Sequence, residues 1–301
     1  MLLTPTPEQS YREANQFFTW RGYPIGYVSA NADRPDLPAV LLIHGFGASV
    51  GHWRKNIPAL AAVARVYAID LIGFGASAKP PHFNYTFENW GELVVDFMRE
   101  IITTPVVLVG NSIGAIVALQ AGVIAPQLVP KVVMINCSLR LLHESKQAQL
   151  PWYRRWGSRF LQQLLGNRWI AKLFFDQIRQ PQSVRQILQQ AYFDHTAITD
   201  ELVAMLLKPA SDRHAVDVFM AFVRYSQGPT PESLLARITV PVVILWGTND
   251  PWEPIQLGKE FVQFPCVENF IAIEGVGHCP QDEAPHLVNP LLQQLVHSQN
   301  S

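Results

Sequence analysis

The sequence predicts an α/β protein: an eight-stranded, mostly parallel sheet with a helical lid inserted between the sixth and seventh strands. Three observations carry this expectation. Short unbroken apolar runs, bounded by glycine or proline, alternate with helix-compatible stretches, as strands buried on both faces require. Two of those runs end in glycine-rich turns, at 44–49 and at 70–77, where a strand would hand over to a loop at its carboxyl end. Residues 139–239 carry helical patterning with no clear strand, so they read as an insertion, and no internal repeat suggests an array instead. The expected division is a core of residues 1–138 and 240–301 and a cap of residues 139–239.

In chain order, 17–29 is aromatic and β-branched around Arg21-Gly22, a hairpin pattern. Residues 39–44, AVLLIH, form a buried strand between Pro38 and Gly45, and a helix-like stretch over 52–63 follows the 44–49 turn. Residues 66–70 are the next strand and 86–100 have helical spacing. Further apolar runs lie at 106–109, 131–136, 240–246 and 268–273, and 287–296 closes the chain as a helix with one apolar face.

The organising stretch is 106–119, VVLVGNSIGAIVAL. A strand that becomes a helix within one residue forces the central side chain into a strained, exposed position. Gly110 and Gly114 are required there because a Cβ at either place would strike neighbouring backbone. The Ser112 hydroxyl would then stand over a helix start, where free N–H groups favour developing negative charge. An activated serine needs a base, and the base needs an acid to orient it. Of nine histidines, His278 sits in a glycine-rich loop directly after the last strand. His44 also ends a strand, but a structural hydrogen bond is its commoner role; His52, His82, His143, His195, His214, His286 and His297 lack such context. Asp250, directly after the penultimate strand, is the expected acid, and the order serine, acid, base suits a strand–turn–helix nucleophile. Asp70 reads as a loop-holding carboxylate, and Asn136, at another strand end, carries no charge. Glu253, Glu274, Asp282 and Glu283 are weaker alternatives. Two N–H donors must hold a tetrahedral oxyanion: the backbone of Ile113, and that of Phe46, freed to turn inward by its flanking glycines. Phe46, Trp53 and Asn111 are the expected substrate-facing residues.

Together His44-Gly45-Phe46-Gly47, Gly110-Asn111-Ser112-Ile113-Gly114, Asp250 and Gly277-His278 resemble the α/β-hydrolase superfamily, over nearly the whole chain. Within it, 49–54 (SVGHWR) and 70–80 (DLIGFGASAKP) resemble the haloalkane dehalogenase and epoxide hydrolase branch. Those enzymes use an aspartate nucleophile, and Ser112 departs from them. The departure argues against dehalogenation and epoxide opening, since an alkyl-enzyme ester needs a carboxylate. HWRKN, DLIGFGAS, GNSIG and GHCPQDEAP are most similar to the pheophytinase and chlorophyll-dephytylase-like hydrolases, which cleave a phytyl ester. The resemblance implies cleavage of a hydrophobic carboxylic ester through an acyl-enzyme, without metal or organic cofactor. Carbon–carbon bond hydrolysis or a lyase reaction on the same triad is the alternative, because meta-cleavage-product hydrolases share the Gly-Asn-Ser elbow. A slow-turnover ligand receptor is a third.

Composition limits the rest. A net charge of -1 lacks the basic excess of a nucleic-acid binder. Three cysteines without CxxC spacing suggest a reducing compartment, and the amino terminus lacks a basic n-region, so a cytoplasmic protein is expected. Over 139–199, nine Lys/Arg against three acids interleave with Trp152, Tyr153, Trp156, Phe160, Leu164, Trp169, Leu173 and Phe174. Amphipathic helices with a solvated basic face explain this pattern; contact of the lid with an anionic membrane surface is the sharper, less favoured expectation.

Overall fold

The computed structural model describes residues 16–140, 143–147 and 168–297. Its sheet has eight strands: β1 Gln16–Trp20, β2 Tyr23–Ala30, β3 Ala39–Ile43, β4 Arg65–Ile69, β5 Val106–Asn111, β6 Val132–Ile135, β7 Val242–Gly247 and β8 Val267–Ile273. The spatial order is β1-β2-β4-β3-β5-β6-β7-β8, and only the β1–β2 and β2–β4 pairings are antiparallel. Arg21 and Gly22 both take positive φ at the β1–β2 turn, which matches the right-handed twist of the hairpin. The principal described helices are α1 Phe87–Phe97, α2 Ile113–Ile124, α3 Arg168–Ile178, α4 Pro181–Ala191, α5 Asp200–Ala210, α6 Ala215–Arg224 and α7 Pro285–His297.

Every residue of β3 to β7 is buried, which is why these strands read as unbroken apolar runs and not as alternating ones. Their two faces still separate. Leu41, Ile43, Leu108, Met134 and Ile244 share a core with α1 and α2, while Val40, Leu42, Val109, Val133 and Leu245 pack with Trp53, Ile57 and α7. The Thr86 side chain accepts from Asn89 N–H to start α1. The helix-like stretch 52–63 is not one helix. A 3₁₀ turn Val50–Trp53 and a short helix Ile57–Leu60 divide it. Pro58 suits a first helical turn and not a helix interior, so the helix begins beside it.

Helices α3 to α6 lie between β6 and β7, with a short helix Pro231–Leu235 closing the insertion. Leu188, Ala191, Tyr192, Ile198, Leu202 and Val203 of this segment form their own small core, which reaches the main body at Cys279. No described helix is long and apolar enough to cross a membrane. Much of the expected basic, aromatic run, Trp152 to Leu164, lies outside the described residues. Among its described members Trp169, Leu173 and Phe174 are exposed, while Lys172 and Arg179 both pair with Asp176.

The insertion is fastened beside β8. Asp282, fully buried, accepts the Tyr192 hydroxyl at 2.8 Å, and that hydroxyl also meets His52 Nε2 at 2.9 Å. Arg54 Nη1 and Lys55 Nζ approach Asp282 Oδ1 to 2.7 and 3.3 Å, ion contacts whose angles fall outside hydrogen-bond geometry. Burial pushes the Asp282 carboxyl up, yet its charged and polar neighbours outweigh it and hold the group below the usual range. Burial also drives His52 down to about 4, so that imidazole is neutral and the two cations supply the attraction. Asp282→Ala is therefore expected to lower stability by about 2–3 kcal/mol, under the usual loss for a broken buried pair because Arg54 and Lys55 keep some access to water. A depressed folded pKa stabilises above the unfolded value of about 4 and loses that contribution as pH falls through the folded value. Urea unfolding of wild type and variant should thus differ at pH 7 and converge in acid.

Candidate active site

The chain leaves β3 for β4 on one side, then crosses to β5 on the other, so the carboxyl ends of β3 and β5 flank a topological switch point. Loops there diverge and leave a crevice in which open α/β sheets bind ligands. The turn 44–49 follows β3 and Ser112 follows β5. Ser112 has φ 56 and ψ -119, a strained conformation for a non-glycine residue, directly ahead of α2. The glycines on either side are sterically obligatory. A Cβ on Gly110 would lie 2.2 Å from Gly114 O, and one on Gly114 would lie 2.3 Å from Ile43 O. Both obstacles are backbone and cannot rotate away.

Asp250 and His278 meet. His278 Nδ1 lies 2.7 Å from Asp250 Oδ2, with both residues buried. The backbone N–H groups of Trp252 and Glu253 donate to Asp250 Oδ1 at 2.9 and 3.0 Å. This contact assigns the proton to Nδ1 of a neutral imidazole and leaves Nε2 as the basic nitrogen. Among the described residues no hydrogen bond joins the Ser112 hydroxyl to His278. Their neighbourhoods touch through Asn111, whose Nδ2 donates to both Ile135 O and His278 O at 3.2 Å. Such nucleophile–base contacts are often long before substrate binds.

The turn that carries Phe46 lies beside the turn that carries Ser112 and Ile113. A Cβ on Gly45 would stand 3.2 Å from the Ser112 Cβ, so the β3 turn lies against the serine. Ile113 is the first residue of α2, whose N–H has no partner within the helix. Phe46 stacks on Phe222 of α6 at 4.2 Å and meets Phe74 edge-on at 5.5 Å, so its ring joins the turn to the insertion. Trp53 is fully buried in the core beneath the sheet, and Asn111 is a buried brace between strand ends. Neither lines the two cavities described below.

His44 has both ring nitrogens engaged: Nδ1 donates to Gly45 O at 2.7 Å and Nε2 accepts from Leu71 N–H at 3.1 Å. Burial lowers it to about 4. Asp70 accepts Val50 N–H and Ala76 N–H, both at 2.7 Å, and so holds two loops together; burial nevertheless pushes its carboxyl up to about 6.

Several residues at the site carry no sequence signal of their own. Asn136, at the end of β6 with φ 41, donates to Asp250 Oδ2 at 2.7 Å and to Gly277 O at 3.3 Å, and its Oδ1 accepts Gly247 N–H at 3.0 Å. One amide thus ties three loops together. The Trp252 ring lies 5.0 Å from the His278 ring. His278 N–H donates to Ala191 O at 2.7 Å, and Glu283 accepts Gly277 N–H with one oxygen and the Phe193 and Asp194 N–H groups with the other. The end of α4 is thereby bonded to the loop that bears the imidazole. The position of Asn136 at a strand's carboxyl end was the one available clue; the Ala191 and Glu283 contacts link positions roughly ninety residues apart and leave no local pattern.

Two cavities flank the site. The larger, about 630 Å³, lies between the Asp70 loop and α5 and contains neither Ser112 nor His278. The smaller, about 250 Å³, is walled by Phe87, Phe222 and Tyr225 and reaches Ser138, Arg140 and Glu253. It is the smaller of the two, but Ser138 N–H donates to Ser112 O at 3.2 Å and Glu253 N–H to Asp250, so it adjoins the Ser112 turn and the Asp250 loop and the larger one does not. No cluster of three metal-ligating side chains exists among the described residues.

Fold and strand–turn–helix elbow define the class: residues 40–291 match the family profile described as "Alpha/beta hydrolase family", and the chain belongs to that family. It is similar to the chloroplastic pheophytinase of Arabidopsis thaliana, 28% identical over 305 residues, covering 89% of this chain and 63% of that protein, so the chain spans less than two thirds of that relative. The uncharacterized hydrolase YugF of Bacillus subtilis is 26% identical over 277 residues, covering 90% of this chain and 94% of YugF. Among solved structures, the epoxide hydrolase CorEH without ligand superposes with a TM-score of 0.77 at 20% identity, covering 93% of this chain and 97% of that one, a likeness of fold alone.

Proposed function

We propose that the protein is a serine hydrolase of carboxylic esters. Ser112 attacks the ester carbonyl while His278 Nε2 takes its proton; Asp250 fixes the tautomer and stabilises the imidazolium. The backbone N–H groups of Phe46 and Ile113 hold the oxyanion. His278 then protonates the leaving alcohol, and a water activated by the same imidazole releases the acyl group from Ser112. The observation that carries this reading is the buried Asp250–His278 contact of 2.7 Å at the same sheet rim as the strained Ser112 turn. Apart from the attacking water, every group this reading uses in the two half-reactions is a protein side chain or amide.

The pocket walls and the similarity to a protein named pheophytinase support a hydrophobic ester, of which a phytyl-type ester is one member. The helices between β6 and β7 act in this reading as the cap, residues 139–239, over a core of 1–138 and 240–301, and work in the cytoplasm is the expected setting. Labelling with a fluorophosphonate, followed by an ester chain-length series, tests the proposal. Labelling at Ser112 with turnover that rises with chain length supports it. Turnover of vinylogous diketones but not of esters would move the reaction to carbon–carbon hydrolysis.

A further inference from the structure

The Glu253 carboxyl has no role in the proposed acyl transfer, yet it is nine-tenths buried beside the proposed triad. Its backbone N–H is bonded to Asp250 Oδ1 at 3.0 Å, which fixes where its side chain starts. It lines the 250 Å³ cavity together with Ser138 and the aromatic rings of Phe87, Phe222 and Tyr225. One of its oxygens, Oε2, is buried and meets no hydrogen-bond partner among the described residues. Among the described residues no lysine or arginine forms an ion pair with it, and only the charge of His278 acts against its burial from nearby. Arg140 in the same cavity is held elsewhere, donating to Pro229 O and Tyr225 O at 2.7 and 3.1 Å and stacking between Phe87 and Tyr225. His143 is likewise engaged with Ser145 and with Gly228 O. A buried carboxyl oxygen left unpaired is unfavourable unless something supplied in use completes it.

We propose that Glu253 is a specificity-determining residue that hydrogen-bonds a polar substituent of the substrate, a ketone or a hydroxyl near the scissile ester. The inference rests on the serine-hydrolase reading and narrows it: the substrate is a hydrophobic ester carrying one hydrogen-bonding group, seated between aromatic rings. The cavity is smaller than the 300–1,000 Å³ typical of a whole drug-sized ligand, so it receives only the part of the substrate that carries this group.

The protonation state supports the same role. Burial, the largest effect, together with the Asp250 charge, raises the Glu253 carboxyl to about 7, against opposing contributions from the Leu139 N–H, His278 and Ser138. Asp250 faces it from the β7 loop, His278 from the β8 loop, and Arg140 and His143 from the insertion. Below pH 7 the neutral carboxyl both donates and accepts, so it can bond a ketone, which only accepts. Above pH 7 the carboxylate only accepts, and of the two substituents it can bond only the hydroxyl.

The test measures kcat/KM for p-nitrophenyl pentanoate and its 4-oxo and 3-hydroxy analogues, and for propyl, acetonyl and 2-hydroxyethyl butyrate, from pH 5.5 to 8.5. Wild type, Glu253→Gln and Glu253→Leu are compared. In at least one series the wild type is expected to prefer the polar ester about tenfold over the ratio seen in Glu253→Leu, the usual effect of satisfying one buried group. Its ketone preference should fall as pH rises through about 7, while its hydroxyl preference persists. Glu253→Gln should keep both preferences with no step near pH 7. The wild-type pH profile alone decides the matter if Glu253→Leu fails to fold. Equal ratios in wild type and Glu253→Leu, or a ketone preference unchanged across the pH range, would overturn the inference. Failure of the hydrolase reading looks different: no ester is turned over and Ser112 takes no fluorophosphonate.

Discussion

Ser112→Ala is expected to abolish ester turnover, with kcat reduced on the order of 10⁴-fold or more, and to leave the fold intact. The two halves of that expectation have separate causes. Alanine keeps the Cβ that packs against Gly45, and it inherits the same positive φ, so the backbone strain of the turn is carried over and not relieved. What disappears is the hydroxyl proposed to form the acyl-enzyme. The N–H groups proposed as oxyanion donors, at Phe46 and Ile113, remain and would account for whatever residual rate survives. Circular dichroism and a thermal midpoint close to wild type, together with loss of fluorophosphonate labelling, are the expected measurements. A variant within tenfold of wild type would mean that the reaction is run from another place, and the 630 Å³ cavity beside Asp70 would be the first to probe.

Much of this architecture was legible in the sequence because it is written in local patterns. Strands covered on both faces must be apolar throughout, so β3 to β7 declared themselves. The elbow was legible for a steric reason: Gly110 and Gly114 face backbone atoms at under 2.5 Å if given a Cβ. Asp250 and His278 were singled out as the polar residues immediately beyond two strands, where a parallel sheet gathers loop residues at one rim, and their side chains meet there. The residues that escaped act over long separations. Asn136 was noticed only as an uncharged amide, yet it donates to Asp250 across 114 positions, and Glu253 was set aside as a weaker acid. Trp53 shows the opposite limit. It was expected to face substrate, whereas its side of the 3₁₀ turn faces the core. Periodicity tells which residues are buried but not whether a cavity lies beyond them.

The hydrogen-bond pattern around Asp250 leads to the second large effect, for Asp250→Asn. The shape of the side chain is unchanged, but the amide is not free to choose its orientation. Oδ1 accepts two backbone N–H groups, from Trp252 and Glu253, so the amide oxygen must occupy that position. The NH₂ group then takes the place of Oδ2, 2.7 Å from both His278 Nδ1 and Asn136 Nδ2. Facing it, His278 can only accept through Nδ1, which moves the ring proton to Nε2 and removes the lone pair that would take the serine proton. Asn136 cannot follow by flipping, because its Oδ1 is held by Gly247 N–H, so two amide donors are left opposed. A loss on the order of 10⁴-fold in kcat is expected near neutral pH, the scale seen where a triad acid is replaced by its amide in serine proteases. Asp250→Asn/Asn136→Ala removes the opposing donor but also strands the buried Gly247 N–H and Gly277 O, so its thermal midpoint should not rise above that of Asp250→Asn, and no activity should return, since the tautomer remains wrong. Recovery of activity in that double variant would mean that donor repulsion, and not the position of the imidazole proton, sets the rate.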